Sequence, residues 1–127
     1  MIDKENIKLL KIDLCSRLPY SQRVWTEEGD GILCDTDNLD DNTFIVFIPA
    51  DKSGYYISLH VDKFKPYLRS TSSMTLEEER EYNSTKTLSI VDYPTLGSYD
   101  WLTAHHFDYR GLIEKGLAIE AKEGMYD

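Results

Sequence analysis

The residues best suited to chemistry lie in the stretch SYDWLTAHHFDYRGLIEKGLAIEA, at positions 98–121. Two of the three histidines, His105 and His106, are adjacent there, and Asp108 follows closely. An aspartate that hydrogen-bonds an imidazole can orient it as a general base, and paired histidines can ligate a metal. Trp, Tyr and Arg dominate binding hot spots. The candidate binding residues are Trp101, His105, His106, Asp108, Tyr109 and Arg110.

The spacing of the two histidines argues against a shared chemical target. Adjacent residues on a helix project about 100° apart, whereas paired histidine ligands on one helix usually lie four positions apart. We therefore expect one imidazole to face the core and the other to face outward. His105 and Asp108 could form a hydrogen-bonded pair across a corner. No nucleophile, phosphate-binding or CxxC motif accompanies them, so we predict no catalytic residue, metal or cofactor.

The elements around these residues can be predicted from their caps. Ser98 is placed to cap a helix that ends near His106, and Asp108 to cap a second helix over 109–115. Gly116 suits the left-handed position after that helix, and a short edge strand follows. The apolar residues of this region are predicted to belong to the core: Trp101, Leu102, Leu112, Ile113 and Leu117.

The first half of the chain has strand-like patterns. Leu10, Ile12 and Leu14 alternate with charged residues, which predicts a half-buried strand. Val24-Trp25 and Ile32-Leu33 flank EEGDG, which predicts a hairpin turning at Asp30-Gly31. TFIVFI at 43–48 reads as a central strand buried on both faces and ended by Pro49. Residues 55–61 alternate and should form a hairpin with it, leaving His60 exposed.

The chain changes character after Pro66. Thr75 is placed to cap a helix over 76–82, and Glu78 to close a capping box. Residues 88–91 could hold a short strand.

Composition narrows the class of protein. A chain of 127 residues with 41% apolar residues and 12% aromatic residues is expected to form a single domain over 1–127. The net charge of −9 disfavours direct binding to nucleic acid or anionic membranes and favours protein partners, especially basic ones, or small molecules. The modest basic cluster Lys63, Lys65 and Arg69 is predicted to be a solvated edge.

Other sequence features have simple interpretations. The cysteines, Cys15 and Cys34, are predicted to be reduced and mostly buried. The acidic stretch DTDNLDDN at 35–42 lacks the glycine and the spaced ligands of an EF-hand, so it is interpreted as a solvated connection. The N-terminus lacks the apolar run of a signal peptide or transmembrane helix, which predicts a cytoplasmic location in a host cell.

Three strings resemble a known group of proteins: KIDLCSRLPY, KPYLRSTSSMTLEEEREY and DWLTAHHFDYRGLIEKGLAIEAKEGMY. They are similar to an uncharacterised family of small proteins in Bacteroides-type gut bacteria and their phages and prophages. The resemblance covers the start of the chain and nearly all of residues 65–126. It implies a phage or prophage context, and it assigns no activity and no catalytic residues.

Together these observations predict an α+β fold: a small antiparallel sheet or partly open β-barrel, mostly within residues 7–62, with short C-terminal helices packed on it. The leading hypothesis is a non-enzymatic accessory protein of a phage or prophage that binds a protein partner in a regulatory or anti-defence role. Two alternatives stay open. One is a small-ligand-binding protein or hydrolase that uses the His105/His106/Asp108 corner. The other is a structural subunit of a virion or replication complex, and a homo-oligomer also stays open.

Overall fold

Seven strands form one open sheet, and three α-helices accompany it in a computed structural model that describes residues 3–37, 42–49, 53–85 and 96–126. The predicted α+β fold with short C-terminal helices is confirmed. Two 3₁₀ turns, Leu18–Tyr20 and Thr71–Ser73, lie between the larger elements. In chain order these are α1 (Lys4–Arg17), β1 (Arg23–Thr26), β2 (Gly29–Thr36), β3 (Thr43–Ile48), β4 (Tyr55–His60), β5 (Phe64–Ser70), α2 (Leu76–Ser84), α3 (Leu96–Ala104), β6 (Phe107–Asp108) and β7 (Ile119–Glu120).

The strand order is β4-β3-β2-β1-β5-β6, and β7 also pairs with β5. The first five strands are antiparallel, as predicted, whereas the two-residue strands β6 and β7 run parallel to β5. The sheet is open and does not close into a barrel.

The sheet must nevertheless curl strongly. β4 and β5 lie four strand spacings apart in the pairing order, which is about 19 Å in a flat sheet. Only residues 61–63 join them, and four Cα steps from His60 to Phe64 span at most about 14 Å. The turn is closed by the Lys63 amide, which donates to the His60 carbonyl at 2.8 Å.

The segment FKPYLR is an interior strand and not the predicted solvated edge. β5 pairs with β1 on one side and with β6 and β7 on the other. Phe64 and Leu68 are four residues apart, point to one face, and are buried. Pro66 obscures this pattern, because proline usually marks an edge strand. The sheet therefore extends well past the predicted limit at residue 62.

The predicted strand at Leu10–Leu14 is wrong, because this segment belongs to α1. Ile7, Leu10 and Leu14 are spaced by three and four residues, which is the repeat of one helix face. Asp3 caps the helix by accepting a hydrogen bond from the Asn6 amide at 2.8 Å. Ile12, whose alternation with its neighbours suggested a strand, faces solvent and is 53% exposed.

One hydrophobic core joins α1 to the inner face of the sheet. In β3, Phe44, Val46 and Ile48 are buried while the alternate residues are only half-buried, so β3 is buried on one face and not on both. The strand ends before Pro49, as predicted. The buried core consists of Leu10, Leu14, Val24, Leu33, Phe44, Val46, Ile48, Val61, Phe64, Leu68, Leu112, Leu117 and Ala118.

The β1–β2 hairpin is confirmed, but its loop is not where the sequence placed it. Thr26 pairs with Gly29, so the two loop residues are Glu27 and Glu28, and Asp30-Gly31 lies within β2. Gly29 adopts φ +128°, a conformation that side chains rarely allow. The β3–β4 hairpin is also confirmed.

The helix predictions have mixed outcomes. The Thr75–Glu78 capping box is present, and α2 extends to Ser84. α3 begins at Leu96, so Ser98 lies inside it and does not cap it. The predicted helix over 109–115 is wrong, because this segment consists of turns. Gly116 has φ +73° and β7 follows it, in agreement with the sequence.

Both cysteines are free thiols on the surface, so the prediction that they are buried is wrong. Cys15 lies on the exposed side of α1, and Cys34 lies where the β2–β3 register shifts between Leu33 and Asp35. His60 on β4 is about one-third exposed and pairs with Asp62 at 2.8 Å. The predicted strand at 88–91 and residues 38–41 of the acidic stretch lie outside the described residues.

Candidate functional site

The six residues singled out from the sequence do not form one site. They separate into a buried cluster around His106, an aromatic stack that ends at His105, and a groove lined by Tyr109 and Arg110. The separation follows from the end of α3 at Ala104, after which His106 adopts φ +65° and turns the chain into β6.

His106 is buried, and its ring is held on two sides. Nδ1 lies 3.1 Å from Oε1 of Gln22, and the ring stacks on Tyr126 with centroids 3.8 Å apart. Nε2 of Gln22 contacts the carbonyl oxygens of Arg23 at 2.9 Å and Tyr67 at 2.8 Å, so the amide oxygen must face the imidazole. Nδ1 of His106 is therefore the donor.

Burial and nearby positive charge keep His106 neutral. Desolvation lowers its pKa from 6.5 to about 4, and the Arg17 guanidinium adds to this. Tyr126, which stacks on it, donates its hydroxyl hydrogen to the Tyr67 carbonyl at 2.7 Å. Burial raises the pKa of Tyr126 to about 12. The His106 cluster thus anchors the C-terminal segment to β1 and β5.

Trp101 and His105 belong to a column of stacked flat groups. The Arg69 guanidinium lies 4.2 Å from the Phe107 ring centroid, Phe107 lies 5.8 Å from Trp101, and Trp101 lies 4.1 Å from His105. Nε1 of Trp101 donates to Glu81 at 2.9 Å, and Nε2 of His105 lies 4.0 Å from the same carboxylate oxygen. His105 is the outermost layer and is about one-third exposed.

The inner end of this column is anchored by an ion pair. Both terminal nitrogens of Arg69 contact the Glu78 carboxylate at 2.7 Å. The hydrogen bond from Arg69 is the main reason that the pKa of Glu78 falls to about 2. Glu78 also accepts from the Thr75 amide at 3.0 Å, so the pair ties β5 to the first turn of α2.

Asp108 does not orient an imidazole, so the predicted His105–Asp108 pair is wrong. Its carboxylate instead accepts hydrogen bonds from the amides of Leu112 at 3.0 Å and Ile113 at 2.9 Å. Asp108 therefore caps the turn that follows β6. The structure does not bring His105, His106 and Asp108 together around one reacting atom.

Tyr109 and Arg110 line a groove of about 490 Å³ between α1, α3 and the segment after β6. Nη1 of Arg110 donates to Asp13 at 2.7 Å and to the Tyr109 hydroxyl at 2.9 Å. The Arg110 guanidinium also lies over the Tyr109 ring, 4.6 Å from its centroid. The other lining residues are Ser16, Tyr99, Asp100 and Thr103.

Beneath the groove, Asp13 is completely buried between two guanidinium groups. Nε and Nη2 of Arg17 contact its carboxylate at 2.8 and 3.1 Å, and Arg110 contacts it from the other side. Arg17 is itself fully buried and also donates to the Phe107 carbonyl at 2.7 Å. The spacing of Asp13 and Arg17 by four residues could have indicated the pair, once a helix was recognised.

A second surface was not identified from the sequence. Ile32, Phe47 and Tyr56 are direct cross-strand neighbours on β2, β3 and β4, and Trp25 lies diagonal to Ile32 on β1. Tyr56 is 68% exposed, Trp25 is 37% exposed and Ile32 is 36% exposed. We call these four residues the aromatic face. Apolar residues at both alternating positions of β3 were the available signal, but they were interpreted as burial on both faces.

Acidic side chains lie at both ends of the aromatic face. Glu27 and Glu28 form the exposed tip of the β1–β2 hairpin next to Trp25, and Asp35 is exposed opposite Ile45. Two basic residues also border the face, because Arg23 is the direct cross-strand neighbour of Ile32 and Lys65 is that of Trp25. The face is thus apolar in its middle and acidic toward the hairpin tip.

Within the described ranges, no group of three or more His, Cys, Asp or Glu side chains is arranged to hold a metal ion. No helix in that part of the chain is long and apolar enough to cross a membrane. Comparison with known proteins found no match to a protein family, a curated protein or a solved structure.

Proposed function

We propose that this chain is a non-enzymatic accessory protein that binds a basic segment of a protein partner on the aromatic face. The observation that carries the proposal is the cross-strand row Ile32, Phe47 and Tyr56, with Trp25 beside it. Phe47 is half-buried, and the other three side chains are exposed. Continuous exposed apolar patches are uncommon on monomeric proteins and usually mark interaction surfaces.

Two aromatic side chains of this row already pack against each other. Phe47 packs against Tyr56 with ring centroids 5.0 Å apart, and its ring also covers Gly54, where an added Cβ would lie 2.0 to 2.8 Å from ring atoms. An ordered aromatic surface loses little conformational entropy on binding, which favours affinity.

Charge determines the kind of partner. The chain carries a net charge of −9, and Glu27, Glu28 and Asp35 are exposed around the face. Long-range attraction will draw a segment rich in Lys and Arg toward the hairpin tip. A guanidinium or ammonium group placed over Trp25 or Tyr56 adds a cation–π contact of about 0.5–2 kcal/mol.

The proposed context is a phage or prophage gene product acting in a host cell, in a regulatory or anti-defence role. This part of the proposal depends on the resemblance of the two terminal regions to phage and prophage proteins. An acidic protein with an aromatic binding face suits such a role, because it can occupy a basic surface of a host protein without a chemical step.

The test begins with affinity capture from a host lysate, followed by binding measurements with the purified captured protein. The decisive variant is Trp25→Ser/Tyr56→Ser, and the matched control is Tyr99→Ser, which removes an exposed tyrosine from a different surface. We expect a basic partner whose affinity falls at least tenfold in the double variant and is unchanged in the control. The affinity should also fall as salt rises.

Circular dichroism must show that both variants retain the native fold. Equal affinity of the double variant and the wild-type protein for every captured partner contradicts the proposed surface. A partner without basic character, bound independently of salt, contradicts the proposed chemistry.

A further inference from the structure

The groove beneath Tyr99 contains hydroxyl groups whose hydrogens are already committed. Thr103 donates its hydroxyl hydrogen to the Tyr99 carbonyl at 2.8 Å, so in its 2.9 Å contact with Tyr109 it must accept. Tyr109 is then the donor to Thr103, and it accepts from Arg110. Ser16 donates to the Asp13 carbonyl at 2.6 Å. The donors that remain for a ligand therefore belong mainly to Arg110.

Two nitrogens of Arg110 are available. Nη1 makes both of its hydrogen bonds, to Asp13 and Tyr109, while Nε and Nη2 contact no acceptor among the described residues. Among the described residues, Nη1 of Arg17 is the one buried side-chain nitrogen or oxygen that lacks a hydrogen-bond partner. Nε and Nη2 of Arg110 also lack a partner, so they are not buried and must contact solvent. Arg110 lines the groove, and its side chain is 23% exposed.

The charges under the groove do not balance. One carboxylate, Asp13, is shared by two guanidinium groups, Arg17 and Arg110, which leaves an excess of one positive charge in a largely buried cluster. Nη1 of Arg17 is buried without an acceptor. A charge shielded from water is stabilised strongly by an opposite charge nearby. The cluster therefore favours an anion at its accessible end, which is Arg110.

We propose that this groove binds a small carboxylate ligand on the Nε and Nη2 edge of Arg110. A guanidinium edge offers two parallel donors that match the two oxygens of a carboxylate. The Tyr109 and Asp13 contacts hold that edge in place, so little side-chain entropy is lost on binding. The exposed Tyr99 ring at the rim provides a surface for an apolar ligand body.

Asp100 determines which anion fits best. Asp100 also lines the groove, but its carboxylate forms no ion pair with Arg110 within 4.0 Å. Asp100 therefore leaves the guanidinium edge open while repelling additional negative charge. A singly charged carboxylate attached to an aromatic or aliphatic body is favoured over a doubly charged phosphate.

The test uses the full chain labelled with ¹⁵N and titrated with sodium benzoate, with sodium chloride at equal ionic strength as the reference. We expect saturable shifts confined to the amides of 99–103 and 109–111 and to the Nε–H signal of Arg110. Sodium acetate should give the same pattern more weakly, and phosphate more weakly than benzoate. Arg110→Gln should weaken benzoate binding at least tenfold, whereas Arg80→Gln, an equal charge change on exposed α2, should not.

Arg110→Lys serves as a second variant if Arg110→Gln fails to fold, because lysine keeps the charge beside Asp13 and loses only the planar fork. It should also bind at least tenfold more weakly. Three results each overturn the proposal: shifts equal to those with sodium chloride, shifts centred elsewhere, or stronger binding of phosphate than of benzoate. Trp25→Ser/Tyr56→Ser should leave benzoate binding unchanged, so this site and the proposed partner surface can fail independently.

Discussion

Nδ1 of His106 lies 3.1 Å from Oε1 of Gln22, a residue 84 positions earlier in the chain. Nε2 of Gln22 is turned toward carbonyl oxygens, so Nδ1 of His106 carries the hydrogen of this bond, and burial of the ring disfavours its positively charged form. The contact joins the turn after α3 to the start of β1. It also makes the stability of the fold depend on the protonation of one histidine.

His106 should destabilise the fold in mild acid. Its pKa is about 4 in the folded protein and 6.5 in the unfolded chain, so its contribution is complete above pH 6.5 and is lost as the pH falls toward 4. The free energy of unfolding should fall by about 1.4 kcal/mol per pH unit within this window from this residue alone. Urea unfolding at pH 7, 6 and 5 measures it.

His106→Asn is the matching variant, because asparagine tolerates the positive φ of +65° at this position. It should lower stability at pH 7 and reduce the pH dependence between 6.5 and 4. An unchanged pH dependence in His106→Asn would falsify the assignment.

Two tyrosines should destabilise the fold in alkali. The pKa of Tyr67 is raised to about 12, mainly by burial and then by its hydrogen bond to Asp30, and burial raises that of Tyr126 to about 12. Both contributions are complete below pH 10 and are lost as the pH rises toward 12. Tyr126→Phe should reduce the slope of stability against pH above 10, and Tyr55→Phe, at an exposed site, should not. Equal slopes for the two variants in urea unfolding would contradict this.

Asp13→Asn should be strongly destabilising. The substitution removes the only carboxylate in contact with Arg17 and Arg110 among the described residues and leaves Arg17 buried without a counter-charge. We expect a loss of about 3–5 kcal/mol in the free energy of unfolding. Asp100→Asn, at an exposed position, should change it by less than about 0.5 kcal/mol. Comparable losses for the two variants in denaturant unfolding would show that Asp13 is not the centre of the cluster.

Glu78→Gln separates the ion pair from the helix cap. Glutamine can still close the capping box with Thr75, so mainly the charge-assisted contact with Arg69 is lost. We expect a loss of about 1–2 kcal/mol at pH 7. The pKa of Glu78 is about 2 in the folded protein and 4.5 otherwise, so this loss should disappear as the pH falls from 4.5 toward 2. If thermal unfolding shows the same loss of stability relative to wild type at every pH, the loss comes from the helix cap and not from the ion pair with Arg69.

Gly31→Ala should destabilise the sheet through a steric clash. An added Cβ would lie 2.8 Å from the Phe47 carbonyl oxygen and 2.7 Å from a Val46 methyl carbon, so β2 and β3 must separate. We expect a loss of about 1–3 kcal/mol. Ser58→Ala, at an exposed β4 position, is the control. Native stability of Gly31→Ala in urea would show that β2 and β3 can adjust at this point.

Local signals predicted the elements that depend on near neighbours. The run TFIVFI with Pro49 after it identified β3, and Thr75 with Glu78 identified the start of α2, because each signal lies within one turn or one strand. The same approach misassigned α1, where three alternating apolar residues hid the helical spacing of Ile7, Leu10 and Leu14. It missed β5 because Pro66 usually marks an edge strand.

The candidate sites were only partly accessible from the sequence. Tyr109 and Arg110 were identified by residue type, but the groove depends on Asp13, which lies 97 positions before Arg110. The aromatic face was missed, because the exposure of Trp25, Ile32 and Tyr56 depends on what covers the outer side of the sheet.

By itself, the sequence determined the fold class, the acidic charge, two hairpins and a capped helix, since these follow from composition and from residues close together in the chain. Only the tertiary structure decided that His106 is buried against Gln22, that Asp13 supports Arg110, and that Trp25 and Tyr56 are exposed on the outer side of the sheet. The physical reason is that long-range packing selects which distant side chains meet, and burial then determines which of them keep a charge or a free surface.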